Sequence, residues 1–330
     1  MEGKSESLVH HIAVLAGGDS AEREVSLASG QQVALALALA GYELVLLDPA
    51  EIDLRFVDWP TFDACVIALH GGAGEDGRVQ RRLDEFGVAY TGSGPAASRL
   101  AMSKSSAKRR FIECGVPTLP YAVVDASAER QELGDLGFPL VIKPDRQGSS
   151  LGAGIARKPA DLPSRLQHAA RYDNRIIAER YVRGREFTVS LLGRDPLPMI
   201  EVIAPKDLFS FEAKYSSNDT DFRFESNLPP PIEAGIYRAS VAAAQALGTA
   251  GLARVDLMLD DENRVWVLEV NTIPGMTAHS LAPRSALAAG ITMPSLADWM
   301  VRDAIHRQHS NLSGAKAYDS CLEALSGARK

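Results

Sequence analysis

Cysteine is scarce in this chain: Cys65, Cys114 and Cys321 are the only three among 330 residues. That is too few, and too scattered, for a disulfide framework or a structural zinc site. Cys65 lies in the apolar run ACVIAL and reads as a buried, reduced thiol, so a reducing cytoplasm is the expected setting. Long apolar runs are missing as well. The most apolar stretch, 33–47, is interrupted by Gly41, Tyr42 and Glu43 and falls short of the roughly 20 residues that cross a bilayer. The start, MEGKSESLVHH, has no apolar signal core. No excess of positive charge exists: 35 Lys and Arg face 42 Asp and Glu, a net charge of −7. A general nucleic-acid or membrane surface is therefore not expected, although local phosphate sites are. The loop DRQGSSLGAG fits neither GxGxxG nor GxxxxGK[ST], and no GxGxxG follows the first strand.

What is present is an ordinary globular composition, 46% apolar and 23% charged, in a chain too long for one core. Two or three domains are expected. In the first hundred residues HIAVLA (11–16), YELVLLD (42–48) and DACVIAL (63–69) read as buried strands. A helix running from the GGDSAEREVS turn to Gly41 separates the first two. Strands alternating with helices predict a doubly wound parallel sheet, with ligands at the strands' carboxyl ends. The loops at Gly17 and His70 both start there. A second unit begins near 104 with a basic helix, then extended runs near 120–124 and 139–143 and the loop DRQGSSLGAG. A third runs from about 191 to 308, with a polar loop (208–228), a helix (232–249), a hairpin (253–271) and a Gly/Pro-rich loop before a last helix. Residues from 309 read as a polar tail in which KAYDSCLEALS forms an amphipathic turn or two.

The hairpin ARVDLMLDDENRVWVLEVN carries the most chemistry. Polar and apolar residues alternate, so each strand has a distinct face. A turn centred on Asp261-Glu262 pairs 256 with 267 and 254 with 269, which puts Arg254, Asp256, Glu269 and Asn271 on one surface. Two carboxylates and an amide oxygen suit Mg²⁺. A half-exposed sheet with solvated acids is the competing reading of the spacing. Gly275 in NTIPGMTAHSL allows a backbone N–H to approach a ligand, and Ser280 offers a hydroxyl; an ordinary Pro-Gly turn is the alternative. Ser149 and Ser150 in DRQGSSLGAG can close over phosphates, or lie in a plain surface loop. Lys104, Lys143 and Lys214 are each unremarkable alone, yet together they offset the charge of a triphosphate. His70 can contact a small substrate. Glu22 either holds a substrate ammonium or complements the helix dipole.

In order, GGDSAEREVSL, ALHGGAGEDG, YTGSG, MSK, VIKPDRQGSSLG, AERYVRGREFTV, FEAKY, ARVDLML and LEVNTIPGMTAHSL resemble the D-alanine–D-alanine ligases of the ATP-grasp superfamily. The resemblance covers roughly 10–308, and nine blocks in register make it specific. It implies a three-domain ATP-grasp fold, α/β and α+β. An N-terminal doubly wound, Rossmann-like substrate domain (1–103) precedes a central ATP-grasp unit (104–190) and a C-terminal one with the metal site (191–308), with 309–330 of unassigned role. It implies ATP-dependent joining of two D-alanines through an acyl phosphate, for peptidoglycan precursors, in a cytoplasmic homodimer that needs two Mg²⁺ or Mn²⁺.

Position by position, the resemblance makes Glu22 the partner of the first D-alanine's ammonium and sets His70 beside that substrate. It joins Glu22, Ser150 and Tyr215 in a hydrogen-bonded triad. It brings Lys104, Lys143 and Lys214 to the ATP phosphates, beneath Ser149 and Ser150. Glu179, Arg180 and Val182 line the adenine pocket and Glu186 binds ribose. Asp256, Glu269 and Asn271 hold the metals, Arg254 and the Gly275 N–H meet the oxyanion, and Ser280 and Leu281 receive the second carboxylate. Ser103, Gln147 and Arg81 stand where relatives usually carry Asp, Glu and Gly, and Phe209 and Phe211 where Tyr is common. Those departures bear on loop closure and ATP affinity. A ligase making D-alanyl-D-lactate or D-alanyl-D-serine is the nearest alternative, and Tyr215 argues against it. A non-catalytic nucleotide binder needs no oxyanion donor, and a nicotinamide oxidoreductase needs a GxGxxG after the first strand, where this chain has none.

Overall fold

Ile12, Ala13, Val14 and Leu15 are each fully buried, as a strand covered on both faces must be. They form β1 (His11–Leu15) in the computed structural model, which describes residues 10–203, 221–224 and 226–327. β1 pairs in parallel with β2 (Glu43–Leu47) and β3 (Ala64–Ile67) in the order β2-β1-β3. The expected parallel sheet is therefore present. Gly17 and Gly18, at φ 88° and 79°, turn the chain out of β1 toward α1 (Arg23–Leu39). Both conformations suit glycine alone. α2 (Arg78–Phe86), α3 (Pro95–Met102) and α4 (Lys104–Glu113) follow.

A four-stranded antiparallel sheet comes next, in the order β4-β7-β5-β6: β4 (Tyr121–Val124), β5 (Leu140–Pro144), β6 (Gly154–Ala156) and β7 (Ile176–Arg180). Leu162 and Leu166 of α5 (Leu162–Ala170) pack against its Leu140, Ile142 and Ala178. The third sheet runs β11-β10-β8-β12-β13, with β9 (Asp195–Pro196) beside β8. Its strands are β8 (Gly184–Leu192), β10 (Ile200–Ile203), β11 (Asp221–Arg223), β12 (Leu252–Asp260) and β13 (Val265–Asn271). α6 (Pro230–Leu247) covers it through Ile236, Ala243 and Leu247. α7 (Leu281–Ala288) and α8 (Met293–Gly327) close the chain. α8 is longer than the turn or two expected of its final segment. Its Leu296, Val301 and Ala304 pack with Ile12, Val14 and Leu37 of the first sheet layer.

The hairpin register differs from the expectation. Asp256 faces Glu269, not residue 267, and Arg254 faces Asn271, not residue 269. Two local features account for the shift. Asn263 adopts the left-handed conformation, φ 60°, so the turn holds one residue more than a two-residue loop. A β-bulge then leaves Leu268 unpaired, since Leu257 pairs with Val267 and Asp256 with Glu269. Val267 and Val270, three apart, both enter the core. A regular strand of period two could not do that. The bulge keeps Asp256 and Glu269 directly across from one another.

Candidate active site

Two neighbouring cavities lie among the three sheets. The first, about 260 Å³, is lined by Glu22, His70, Ser149, Arg254, Asn271, Gly275, Ser280 and Leu281. The second, about 100 Å³, lies between the second and third sheets. Its apolar walls include Leu119, Val141, Val182 and Met258, with Lys143, Ser150, Glu179, Arg180, Glu186 and Asp256 around them. Lys104, Gln147 and Glu269 line both. The larger compartment, which holds Glu22, His70 and Arg254, thus meets the smaller one at a lysine and a glutamate.

Glu22 lies at the start of α1, and its carboxylate is not spent on capping that helix. It is buried, and Oε1 accepts a hydrogen bond from the Ser149 hydroxyl. Ser149 and Ser150 sit at φ 51° and 56°. Side chains rarely adopt two left-handed conformations in a row, at a cost of roughly 1–3 kcal/mol each. That strain turns Ser149 toward Glu22 while Ser150 faces the second cavity. Gly71 approaches Glu22 so closely that a Cβ there would come within 2.8 Å of Oε2.

His70 extends from β3 and is 5% exposed. Its Nε2 lies 2.9 Å from Ser29 Oγ, and its Nδ1 lies 3.9 Å from Glu75 Oε1. Ser29 also accepts from the Met276 N–H at 3.2 Å, joining α1 to the loop of Gly275. A Cβ on Gly275 would fall 2.7 Å from Ser280 Oγ, so this glycine leaves room for Ser280. Thr277 holds the same hydroxyl through its N–H at 3.1 Å and its Oγ1 at 2.8 Å.

On the third sheet, Arg254 forks onto Asp256, Nε to Oδ1 and one terminal nitrogen to Oδ2, both at 2.8 Å. The Thr188 hydroxyl donates to Asp256 Oδ1 at 2.7 Å. Asn271 Oδ1 accepts from the Ile273 N–H at 2.8 Å. Lys104 Nζ donates to the Gln147 carbonyl at 2.6 Å and lies 3.5 Å from Glu269 Oε2.

Asp145, fully buried, explains how Ser103 is tolerated at the start of α4. Its Oδ1 accepts from the Ser105 N–H at 2.7 Å and its Oδ2 from Ser103 Oγ at 2.9 Å. The carboxylate at the start of α4 thus comes from Asp145, one residue beyond β5, and not from position 103. Glu179 is likewise buried. Burial alone would raise its pKa, but Lys108 and Lys143 outweigh that and hold it below the ordinary carboxylate range. Lys143 Nζ donates to Glu179 Oε2 at 2.6 Å.

Every expected site residue within the described part lines one of these cavities; Lys214 and Tyr215, with Phe209 and Phe211, lie outside the described residues. Sequence reasoning missed Ser29, Glu75, Lys108, Asp145 and Thr188. Only Lys108 carried a signal, because it follows Lys104 by four residues on one helical face.

Comparison with known proteins identifies the family of the chain. Residues 111–302 match the family model described as D-ala D-ala ligase C-terminus. The D-alanine–D-alanine ligase of Bordetella petrii is 42% identical over 304 residues, 91% of this chain and 93% of that protein. The ligase of that name from Alkalilimnicola ehrlichii is 40% identical over 93% of this chain and 99% of its own length. A crystal structure of the Bacillus anthracis D-alanine–D-alanine ligase complexed with ATP superposes with a TM-score of 0.82, at 32% identity, covering 92% of this chain and all of that one.

Proposed function

The chain belongs to the D-alanine–D-alanine ligase family, and we propose that its two cavities hold D-alanine and ATP on either side of Lys104 and Glu269. The reaction joins two D-alanines into D-alanyl-D-alanine, a peptidoglycan precursor, at the expense of ATP. The observation that carries the assignment is the common wall. A carboxylate in the first cavity can reach the terminal phosphate of a nucleotide in the second only where the two meet.

The carboxylate oxygen of the first D-alanine attacks the γ-phosphorus, the bond to the ADP oxygen breaks, and an acyl phosphate forms. The neutral amine of the second D-alanine then attacks the acyl carbon. The tetrahedral oxyanion collapses, inorganic phosphate leaves, and the amine nitrogen gives up one proton to the departing phosphate or to water. Glu22, buried and steadied by Ser149, is placed to hold the first ammonium, with His70 alongside. Arg254, oriented by its fork onto Asp256, and the Gly275 N–H serve the oxyanion. Ser280 and Leu281 receive the second carboxylate. Lys104, Lys143 and Lys214 meet the phosphates under the Ser149-Ser150 loop; of the expected triad of Glu22, Ser150 and Tyr215, the serine that meets Glu22 is Ser149, Ser150 lines the second cavity, and Tyr215 lies outside the described residues. Glu179, Arg180 and Val182 take the adenine and Glu186 the ribose.

Asp256, Glu269 and Asn271 fit two Mg²⁺ ions. They are hard oxygen donors on adjoining strands and would hold the ions beside the second cavity. Bound there, Mg²⁺ offsets phosphate charge. Three sheets support three units, but β8 (Gly184–Leu192), expected at the end of the central unit 104–190, lies inside the third sheet between β10 and β12, so the second boundary falls before 184 and not at 190. A homodimer is supported by Leu35, Leu39 and Leu46, all more than half exposed beside the open edge of β2. Sedimentation of Leu39→Glu against the unaltered chain tests it: a mass that stays monomeric in both ends that reading. The lack of a helix long and apolar enough to cross a membrane, among the described residues, agrees with a cytoplasmic setting.

The curated relatives carry the D-alanine–D-alanine name, which favours the dipeptide over a D-lactate or D-serine product. Phosphate release with ATP, Mg²⁺ and D-alanine, against D-serine, D-lactate and L-alanine as second substrates, is the test. Release with D-alanine alone supports the reading. Release only when D-lactate is added overturns the product assignment.

A further inference from the structure

Lys108 is among the largest fully buried side chains, only 1% exposed, and it lines neither cavity. It stands on α4 one turn beyond Lys104. Its ammonium donates to Glu179 Oε1 at 2.5 Å and to Thr118 Oγ1 at 2.8 Å. The Thr118 hydroxyl in turn donates to the Val267 carbonyl at 2.9 Å, which anchors the group to β13. Glu179 is equally buried, and its second oxygen is held by Lys143.

One buried carboxylate therefore has two cations, and they are not equivalent. Lys143 keeps 19% of its side chain exposed and faces the nucleotide cavity, whereas Lys108 sits behind the carboxylate. A buried charge stripped of its partner is strongly unfavourable. If Lys143 were the sole counter-ion of Glu179, moving it to a phosphate would leave that carboxylate bare.

The geometry points to Lys108 as a positioning residue for nucleotide binding: it holds Glu179 charged and aimed from behind, so that Lys143 is free to leave for the triphosphate. The inference rests on the reading that ATP occupies the second cavity. Lys108 itself touches no substrate. Its effect is exerted through Glu179 and Lys143, and so falls on the nucleotide rather than on D-alanine.

The test compares the unaltered protein with Lys108→Met, Lys108→Arg and the double variant Lys108→Met/Glu179→Gln. Steady-state kinetics with ATP and D-alanine are combined with calorimetry of inorganic triphosphate and Mg²⁺, a probe that lacks adenine. Lys108→Met is expected to raise the KM for ATP roughly tenfold or more with little change in the KM for D-alanine, and Lys108→Arg to recover most of it. Triphosphate binding should weaken in Lys108→Met and return in the double variant, where no carboxylate retains Lys143. A general packing defect does not produce that recovery. If Lys108→Met does not fold, the Lys108→Arg and double variants carry the test. A double variant that binds triphosphate more weakly than the unaltered protein overturns the inference, as does a folded Lys108→Met with unchanged ATP and triphosphate affinity. An unaltered protein that binds neither probe overturns the nucleotide reading instead.

Discussion

Lys104 Nζ lies 3.5 Å from Glu269 Oε2, and this pair forms part of the wall that both cavities share. The lysine comes from the first turn of α4 and the glutamate from β13, so the contact joins chain segments more than 160 residues apart. Each offers the other an opposite charge at the junction.

Glu269→Gln should separate chemistry from folding. Glu269 keeps 30% of its side chain exposed, so the amide costs the fold little. Turnover should fall by on the order of 100-fold or more, because charge stabilisation at the transferring phosphate is lost. Parallel kinetics and thermal melts check this. A variant that simply unfolds would remove the metal assignment.

Ser149→Ala removes the hydroxyl that meets Glu22 while leaving the loop in place. The KM for D-alanine should rise several-fold, with the KM for ATP moving less. Ser149→Gly also lacks the hydroxyl but relieves the left-handed backbone at φ 51°. It should therefore be the more stable of the two and equally impaired for D-alanine. Initial rates at varied D-alanine, with melting temperatures, decide the matter.

Asp145→Ala leaves the Ser105 N–H and the Ser103 hydroxyl without their buried acceptor. The expected loss is about 1–3 kcal/mol of unfolding free energy, measurable by urea titration. Restoring a carboxylate at the helix start, with Ser103→Asp on the Asp145→Ala background, should recover part of it. No recovery would mean that the two positions do not substitute for one another.

Asp260 supplies a pH-dependent contribution to the hairpin. Burial raises its pKa, but hydrogen bonds from Trp266, from the Arg264 N–H and side chain and from the Glu262 N–H outweigh that and depress it to about 2. An unfolded aspartate titrates near 3.9, so the folded form binds its proton less readily. The stabilisation is complete above about pH 4 and is lost as pH falls toward 2. Asp260→Asn should melt below the unaltered protein at pH 7, and the gap should close near pH 2. A gap independent of pH would assign the effect to packing.

Much of the layout was legible in the residues. HIAVLA announced a strand buried on both faces, and the alternation of 253–271 announced a hairpin with acids on one side. The register was not, because it depended on the left-handed Asn263 and on the bulge at Leu268. One clue was available: Val267 and Val270 are both apolar and an odd number of positions apart. The Glu22–Ser149 contact was hidden too. GSS is compatible with many loops, and only the packed backbone holds both serines left-handed.

Residue chemistry and local periodicity belong to the sequence alone: which side chains can bear charge or hydrogen bonds, and where strands, helices and turns begin. They follow from covalent structure and from near neighbours. Which cation stands behind Glu179, which hydroxyl reaches Glu22 and which carboxylate caps α4 were settled by the tertiary structure. Those partners are 71, 127 and 40 residues apart along the chain. No local pattern relates such distant positions; only the packing of three sheets around common cavities brings them within hydrogen-bonding reach.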